Sequence, residues 1–219
     1  MIEFHDAWKS FKLKGGKRKH ILRGLNLALP DDRRVAVIGR NGAGKSTLLT
    51  MIGGSVRPDS GEIRTNGRVS WPMGFRAGFH SALTGRQNAR FVARIYGADT
   101  DELVEEVQEF AELGDFFDAP FDQYSSGMRA RLAFGVSMAA SFDIYLVDEI
   151  TAVGDARFKK KCSDVFKKKL ANSQVVMVSH SEGTLKDYCD SALLLEDGHV
   201  QFFDDLDDGL KAYHEIINR

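Results

Sequence analysis

Gly39-Arg40-Asn41-Gly42-Ala43-Gly44-Lys45-Ser46 follows the apolar run Arg34-Val35-Ala36-Val37-Ile38, and Thr47-Leu48-Leu49 continues from it. A buried strand that gives way to a glycine-rich turn and then to a helix is a phosphate-binding arrangement. The glycines let backbone N–H groups curl around a β-phosphate, and the helix N-terminus adds the positive end of its dipole. Lys45 is placed to reach the β- and γ-phosphates, and the Ser46 hydroxyl to ligate magnesium. The pattern assigns Gly39, Arg40, Asn41, Gly42, Ala43, Gly44, Lys45, Ser46 and Thr47 to binding the phosphates of a nucleotide with Mg2+. It also predicts a layered α/β fold.

Two later strands extend the same logic. Ile144-Tyr145-Leu146-Val147 ends in Asp148-Glu149, and Val175-Val176-Met177-Val178 ends in Ser179-His180. In open α/β sheets ligands bind beyond the carboxyl ends of the strands, so these polar ends belong near the phosphates. Two adjacent carboxylates divide the work. Asp148 orients Mg2+, and Glu149 faces the attacking water as general base, a role that contributes roughly 10²–10⁴-fold in rate. His180 is placed as a polar contact to the γ-phosphate and that water. Lys45, Glu149 and His180 are the candidate catalytic residues, with Ser46 and Asp148 as metal ligands.

Upstream, Ile2 to Trp8 and Ile21 to Leu29 read as strands. Asn66-Gly67, between Glu62-Ile63-Arg64 and Val69-Ser70-Trp71, predicts a hairpin, so an antiparallel β subdomain accompanies the main sheet. From about residue 84 to 140 the apolar period is helical. Leu103, Val107, Phe110 and Ala111 share a face that Asp99 or Thr100 caps, which marks an inserted helical subdomain. Asp197-Gly198 turns a last hairpin, and Asp207 to Arg219 reads as a surface helix. No linker or repeat interrupts the 219 residues, as expected of a single domain over 1–219.

Thirty basic residues against thirty-one acidic ones leave a net charge of −1. That balance argues against a nucleic-acid binder working through a global positive field. The longest apolar run, Val136 to Val147, contains Ser141 and Asp143 and falls short of the ~20 residues a membrane-spanning helix requires. The start MIEFHDAWKS lacks a secretory pattern, so the chain is expected in the cytoplasm, with Cys162 and Cys189 as reduced packing residues.

Together these residues resemble the nucleotide-binding domain of ABC ATPases over essentially the whole chain. What separates that family from kinases and GTPases is a second signature opening a helix, and Tyr124-Ser125-Ser126-Gly127-Met128 is similar to it, in the variant of polysaccharide and teichoic-acid exporters. Ser70-Trp71-Pro72-Met73-Gly74-Phe75 and the run from Val147 to Phe158 look like the capsular-polysaccharide export branch. The resemblance implies a P-loop NTPase fold of ABC-ATPase type. It also implies a head-to-tail homodimer in which Ser125, Ser126 and Gly127 of one subunit hold the γ-phosphate bound by the other. The resemblance places the chain peripherally at the cytoplasmic face of the inner membrane, with a polytopic membrane permease as the partner through which a polysaccharide or glycolipid substrate is reached. O-antigen or teichoic-acid export is the alternative cargo, and a soluble ABC protein acting on ribosomes or DNA the more remote one.

Phe11 matches the aromatic position that stacks on adenine, a plain core Phe being the other reading. Ala152-Val153-Gly154-Asp155 matches the segment that crosses the dimer interface. The glutamine that the family places after Trp71-Pro72-Met73 is missing, and His80 is the polar residue nearest its place. Trp71, Phe75 and Phe79 of that loop are expected to be exposed for a helix of the membrane partner. Lys12, Lys14, Lys17, Arg18, Lys19 and His20 surround Gly15-Gly16. Two readings of this basic loop stay open, a solvated hairpin or a contact with anionic head groups.

Overall fold

The computed structural model describes residues 1–72, 79–149, 155–170 and 173–218. The chain divides into two compact units, one of Met1–Pro72, Phe142–Glu149 and Asn172–Arg219, the other of Met73–Ser141 and Ile150–Ala171.

Both sheets belong to the first unit. β1 (Ile2–Lys12), β2 (Arg18–Leu29) and β4 (Ser60–Thr65) form an antiparallel sheet in the order β2-β1-β4. β3 (Arg34–Ile38), β5 (Ile144–Asp148), β6 (Gln174–Val178), β7 (Ser191–Glu196) and β8 (His199–Phe203) form the other, in the order β5-β6-β3-β7-β8. This second sheet is parallel except for β8, which returns antiparallel to β7. β3 is an unbroken apolar run because it is central, and both faces of a parallel strand are covered. Val35, Ala36 and Val37 are accordingly fully buried.

α1 (Lys45–Ile52) buries Leu48, Leu49, Met51 and Ile52. These side chains meet Ile2, Phe4, Leu22 and Leu29 from one sheet and Val35, Val37, Leu146 and Val176 from the other in a common core. Each fully buried side chain of this size contributes roughly 1.5–3 kcal/mol. The core thereby fixes α1, and with it the loop that precedes α1.

Asp197 and Gly198 turn between β7 and β8 with φ of 47° and 85°, as a tight primed turn requires. The hairpin expected at Asn66-Gly67 does not form. Beyond Gly67, at φ 105°, the chain joins β5 instead. The Arg68 N–H donates to Asp143 Oδ2 at 2.6 Å, the Ile144 N–H to the Arg68 carbonyl at 3.1 Å, and the Ser70 N–H to the Ile144 carbonyl at 2.9 Å. Val69 bridges Ile144 in parallel. The backbone groups that would close the hairpin are thus committed to β5, and β4 pairs with β1. The chain of the first unit ends in α6 (Glu182–Tyr188) and α7 (Leu206–Ile217), the latter capped by the Asp205 carboxylate, which accepts from the Asp207 and Asp208 N–H groups.

The second unit holds α2 (Gly85–Tyr96), α3 (Thr100–Ala111), α4 (Ser126–Ala139) and α5 (Ala156–Leu170). Thr84 and Gln87 close a reciprocal cap on α2, and Asp99 caps α3. Phe110 stacks on Phe134 and meets Phe158 edge-on, both at 5.5 Å between centroids. On α5, Phe158, Cys162, Phe166 and Leu170 are buried at helical spacing while Lys159, Lys160, Lys167 and Lys168 are exposed, the pattern of an amphipathic helix. Contrary to expectation, Trp71 and Phe79 are half-buried, Phe79 because its ring packs 5.3 Å from Phe121. Phe75 lies outside the described residues. Both cysteines are buried and free, and burial lifts their thiols to about 11 for Cys162 and about 12 for Cys189. Among the described residues no helix is long and apolar enough to cross a membrane.

Candidate functional site

Gly39 follows β3, Lys45 opens α1, and the loop between them has no room for a side chain at Gly39 or Gly44. A Cβ on Gly39 would collide with the Leu195 carbonyl oxygen, and one on Gly44 would stand 2.7 Å from Ile21 Cγ2. Gly44, at φ 115°, begins α1 without a side-chain cap, so no side chain of its own cap competes for the helix's first N–H groups. Lys45 Nζ lies along the loop, donating to the carbonyls of Gly39 at 2.7 Å and Arg40 at 3.2 Å. Burial lowers its pKa, against which the Asp148 and Glu149 carboxylates act to raise it.

A cleft of about 650 Å³ opens beside this loop, lined by Phe11, Asn41, Gly42, Gly44, Lys45, Ser46, Thr47, Asp148, Glu149 and His180, together with Leu13, Lys19, Ile21 and Val178. Pockets of this size suit a small organic ligand. Phe11 is exposed at 44 % rather than sunk in the core. Arg40 and Ala43 face an adjacent basic hollow with Lys17, Arg18 and Arg23, and Gly39 faces a smaller one with Ser179 and Tyr213. Sequence reasoning leaves Lys19 in the basic loop. The alternation along β2 would have found it, since Lys19 and Ile21 share a face of the strand.

Strand order brings the ends of β3, β5 and β6 side by side, and that is why Asp148, Glu149 and His180 converge on Lys45. His180 Nε2 is 3.2 Å from Glu149 Oε1, and both side chains reach solvent. The Glu149 N–H donates to the Val178 carbonyl at 3.0 Å, which ties the end of β5 to β6. Glu149 holds φ 56°, a left-handed conformation that costs a non-glycine residue about 1–2 kcal/mol. Such strain gathers at functional positions, and no sequence signal announces it here.

The signature segment lies in the second unit. Ser125 Oγ accepts the Met128 N–H at 3.2 Å and so caps α4. Ser126 is the first residue of the helix, and a Cβ on Gly127 would meet nothing nearer than Ser125 Oγ at 3.9 Å. The buried Tyr124 donates its hydroxyl to the Phe116 carbonyl at 2.6 Å, and Arg129 donates to the carbonyls of Tyr124 and Asp122 at 3.0 and 2.9 Å. Two exposed serines are thereby presented on a braced helix end whose dipole favours an anion. Asp155 Oδ1 accepts the Phe158 N–H at 2.8 Å, and Arg131 lies 3.6 Å from the Asp155 carboxylate. Ala152, Val153 and Gly154 lie outside the described residues. His80 is engaged locally, its N–H donating to Asn88 Oδ1 at 2.8 Å and its Nδ1 accepting from the Ala82 N–H at 3.3 Å.

Comparison with known proteins adds a family to this geometry. The family model described as ABC transporter matches residues 22–152. The polysialic acid transport ATP-binding protein KpsT of Escherichia coli is 52 % identical, covering 99 % of this chain and 100 % of its own. The capsule polysaccharide export ATP-binding protein CtrD of Neisseria meningitidis serogroup B is 41 % identical, with coverages of 99 % and 100 %. A dimeric post-hydrolysis structure of the ATP-binding cassette MJ0796 bound to ADP and Pi superimposes with a TM-score of 0.74 at 22 % identity, over 92 % of this chain and 98 % of that one. That likeness establishes the shared fold.

Proposed function

The chain belongs to the ABC transporter family as an ATP-binding and hydrolysing subunit, and from that premise we propose that it powers export of a capsular polysaccharide through a membrane permease. The observation that carries the catalytic part is the convergence of Lys45, Ser46, Asp148, Glu149 and His180 in one cleft with Phe11 at its rim. The cargo is supported by two relatives matched over their full length, which are named for polysialic acid transport and capsule polysaccharide export.

Phe11 stacks on the adenine, a contact worth roughly 1–3 kcal/mol per base. The glycine loop and Lys45 hold the phosphates. Ser46 and Asp148 supply the hard oxygen ligands that Mg2+ accepts, and among the described residues there is no cluster of three or more acids, histidines or cysteines that would bind a metal as a protein cage. The residues fit an ion that keeps waters and substrate phosphates as its other ligands. When bound, Mg2+ neutralises charge developing on the β- and γ-oxygens. Glu149 takes a proton from the attacking water, and His180, 3.2 Å away, orients the carboxylate.

Ser125, Ser126 and Gly127 serve a second copy of the chain in a head-to-tail homodimer, and the permease holds the dimer at the cytoplasmic face of the inner membrane. Co-purification with the permease followed by chemical identification of the bound glycan tests the cargo. A capsular glycan or its lipid-linked form is expected, and an O-antigen or a teichoic acid in its place would overturn the assignment.

A further inference from the structure

Among the described residues Lys19 is the one cation of the basic loop that lines the same cleft as Phe11 and Lys45. Its position is set by strand pairing, because β1 and β2 are antiparallel and Phe11 lies directly opposite Lys19 in their register. Side chains opposite each other in such a pair project from the same face about 5 Å apart. The lysine therefore stands one strand further across the cleft from the ring assigned to adenine. Its Nζ lies against the phosphate loop, 3.3 Å from where a Cβ on Gly42 would be. Lys9, the other cation beside Phe11, is already committed to the Arg57 carbonyl at 2.7 Å and the Asp59 carboxylate at 3.0 Å. Among the described residues Lys19 has no ion-pair or side-chain hydrogen-bond partner of its own, and it is only partly exposed. A half-buried, uncompensated ammonium is stabilised by an anion brought beside it.

We propose that Lys19 is a second cation for the phosphates of the nucleotide, acting with Lys45 and set in place by its pairing with Phe11. The inference rests on the assignment of the cleft to ATP. It makes the end of the basic loop part of the nucleotide site, with the ammonium recognising charge on the phosphate chain and not the base.

Competition binding with ATP, ADP and adenosine on Lys19→Gln, Lys19→Arg and Lys45→Ala tests it. Lys19→Gln is expected to raise the Kd of ATP and ADP about tenfold, the loss of one charge-assisted contact, and to leave adenosine unchanged. Lys19→Arg is expected to restore most of the ATP affinity. Wild-type ATP affinity in Lys19→Gln would overturn the proposal, as would an equal loss for adenosine, which would mean that the substitution disturbs the strand pair. If Lys45→Ala also leaves ATP binding intact, the assignment of the cleft itself fails. A Lys45 effect without a Lys19 effect overturns the second cation alone.

Discussion

Replacing Glu149 with glutamine keeps the size of the side chain and an oxygen beside His180 while removing its basicity. Turnover is expected to fall by ~10²-fold or more with ATP binding retained, measured as single-turnover phosphate release beside equilibrium binding. Near-normal turnover in Glu149→Gln combined with loss in His180→Ala would move the base to the histidine. Asp148→Asn is expected to weaken Mg2+-dependent ATP binding as well, since it removes a proposed ligand to the ion. The residues of this site were legible because phosphate chemistry demands glycines, a lysine and a hydroxyl at fixed spacing, and because two strands end in polar side chains. Lys19 was passed over because its neighbours in sequence are cations of the same loop, although it shares a face of β2 with Ile21 and lies opposite Phe11 in the register of β1 against β2.

Ser125, which caps α4, has a structural duty and a proposed one, and they can be separated. Ser125→Ala removes the cap and is expected to cost about 1 kcal/mol of stability. Ser125→Asp keeps an acceptor for the Met128 N–H but sets a negative charge where the γ-phosphate of the second subunit is proposed to bind. Its thermal midpoint should stay near wild type while ATP hydrolysis is lost. Hydrolysis at the wild-type rate would remove the signature from the site. Elements with strong local chemistry were readable in this way, as with Asp99 at the head of α3 and the turn at Asp197-Gly198. Asn66-Gly67 carries an equally strong local signal and yields no hairpin. A long-range partner, the β5 end at Asp143 and Ile144, takes up the backbone groups of Arg68 and Ser70, and no local pattern reports a competitor dozens of residues away.

For the molecule as a whole, two experiments follow from pairing and from burial. A mixture of Lys45→Ala and Ser125→Arg chains should regain hydrolysis that neither has alone, because one of the two shared sites in the mixed dimer would be intact; a mixture as inactive as its parents would refute the head-to-tail arrangement. The buried thiols titrate at about 11 and about 12 in the fold against an ordinary value of 9.0. Their contribution to stability is complete below pH 9 and is lost as pH rises through 11 to 12, because above 9 the unfolded chain releases protons that the folded chain retains. Denaturant titrations from pH 8 to 11 should show that decline, with Cys162→Ala/Cys189→Ala flattening it. The left-handed backbone at Glu149 has a different consequence. A glycine there relieves the steric penalty of a side chain at φ 56°, offset in part by the greater freedom of glycine in the unfolded chain. Glu149→Gly is therefore expected to melt no lower than wild type, and up to about 1 kcal/mol more stably, while catalysing nothing. Screens for thermostable variants of this protein would then drift toward losing its proposed base, and would need a selection for activity to keep it.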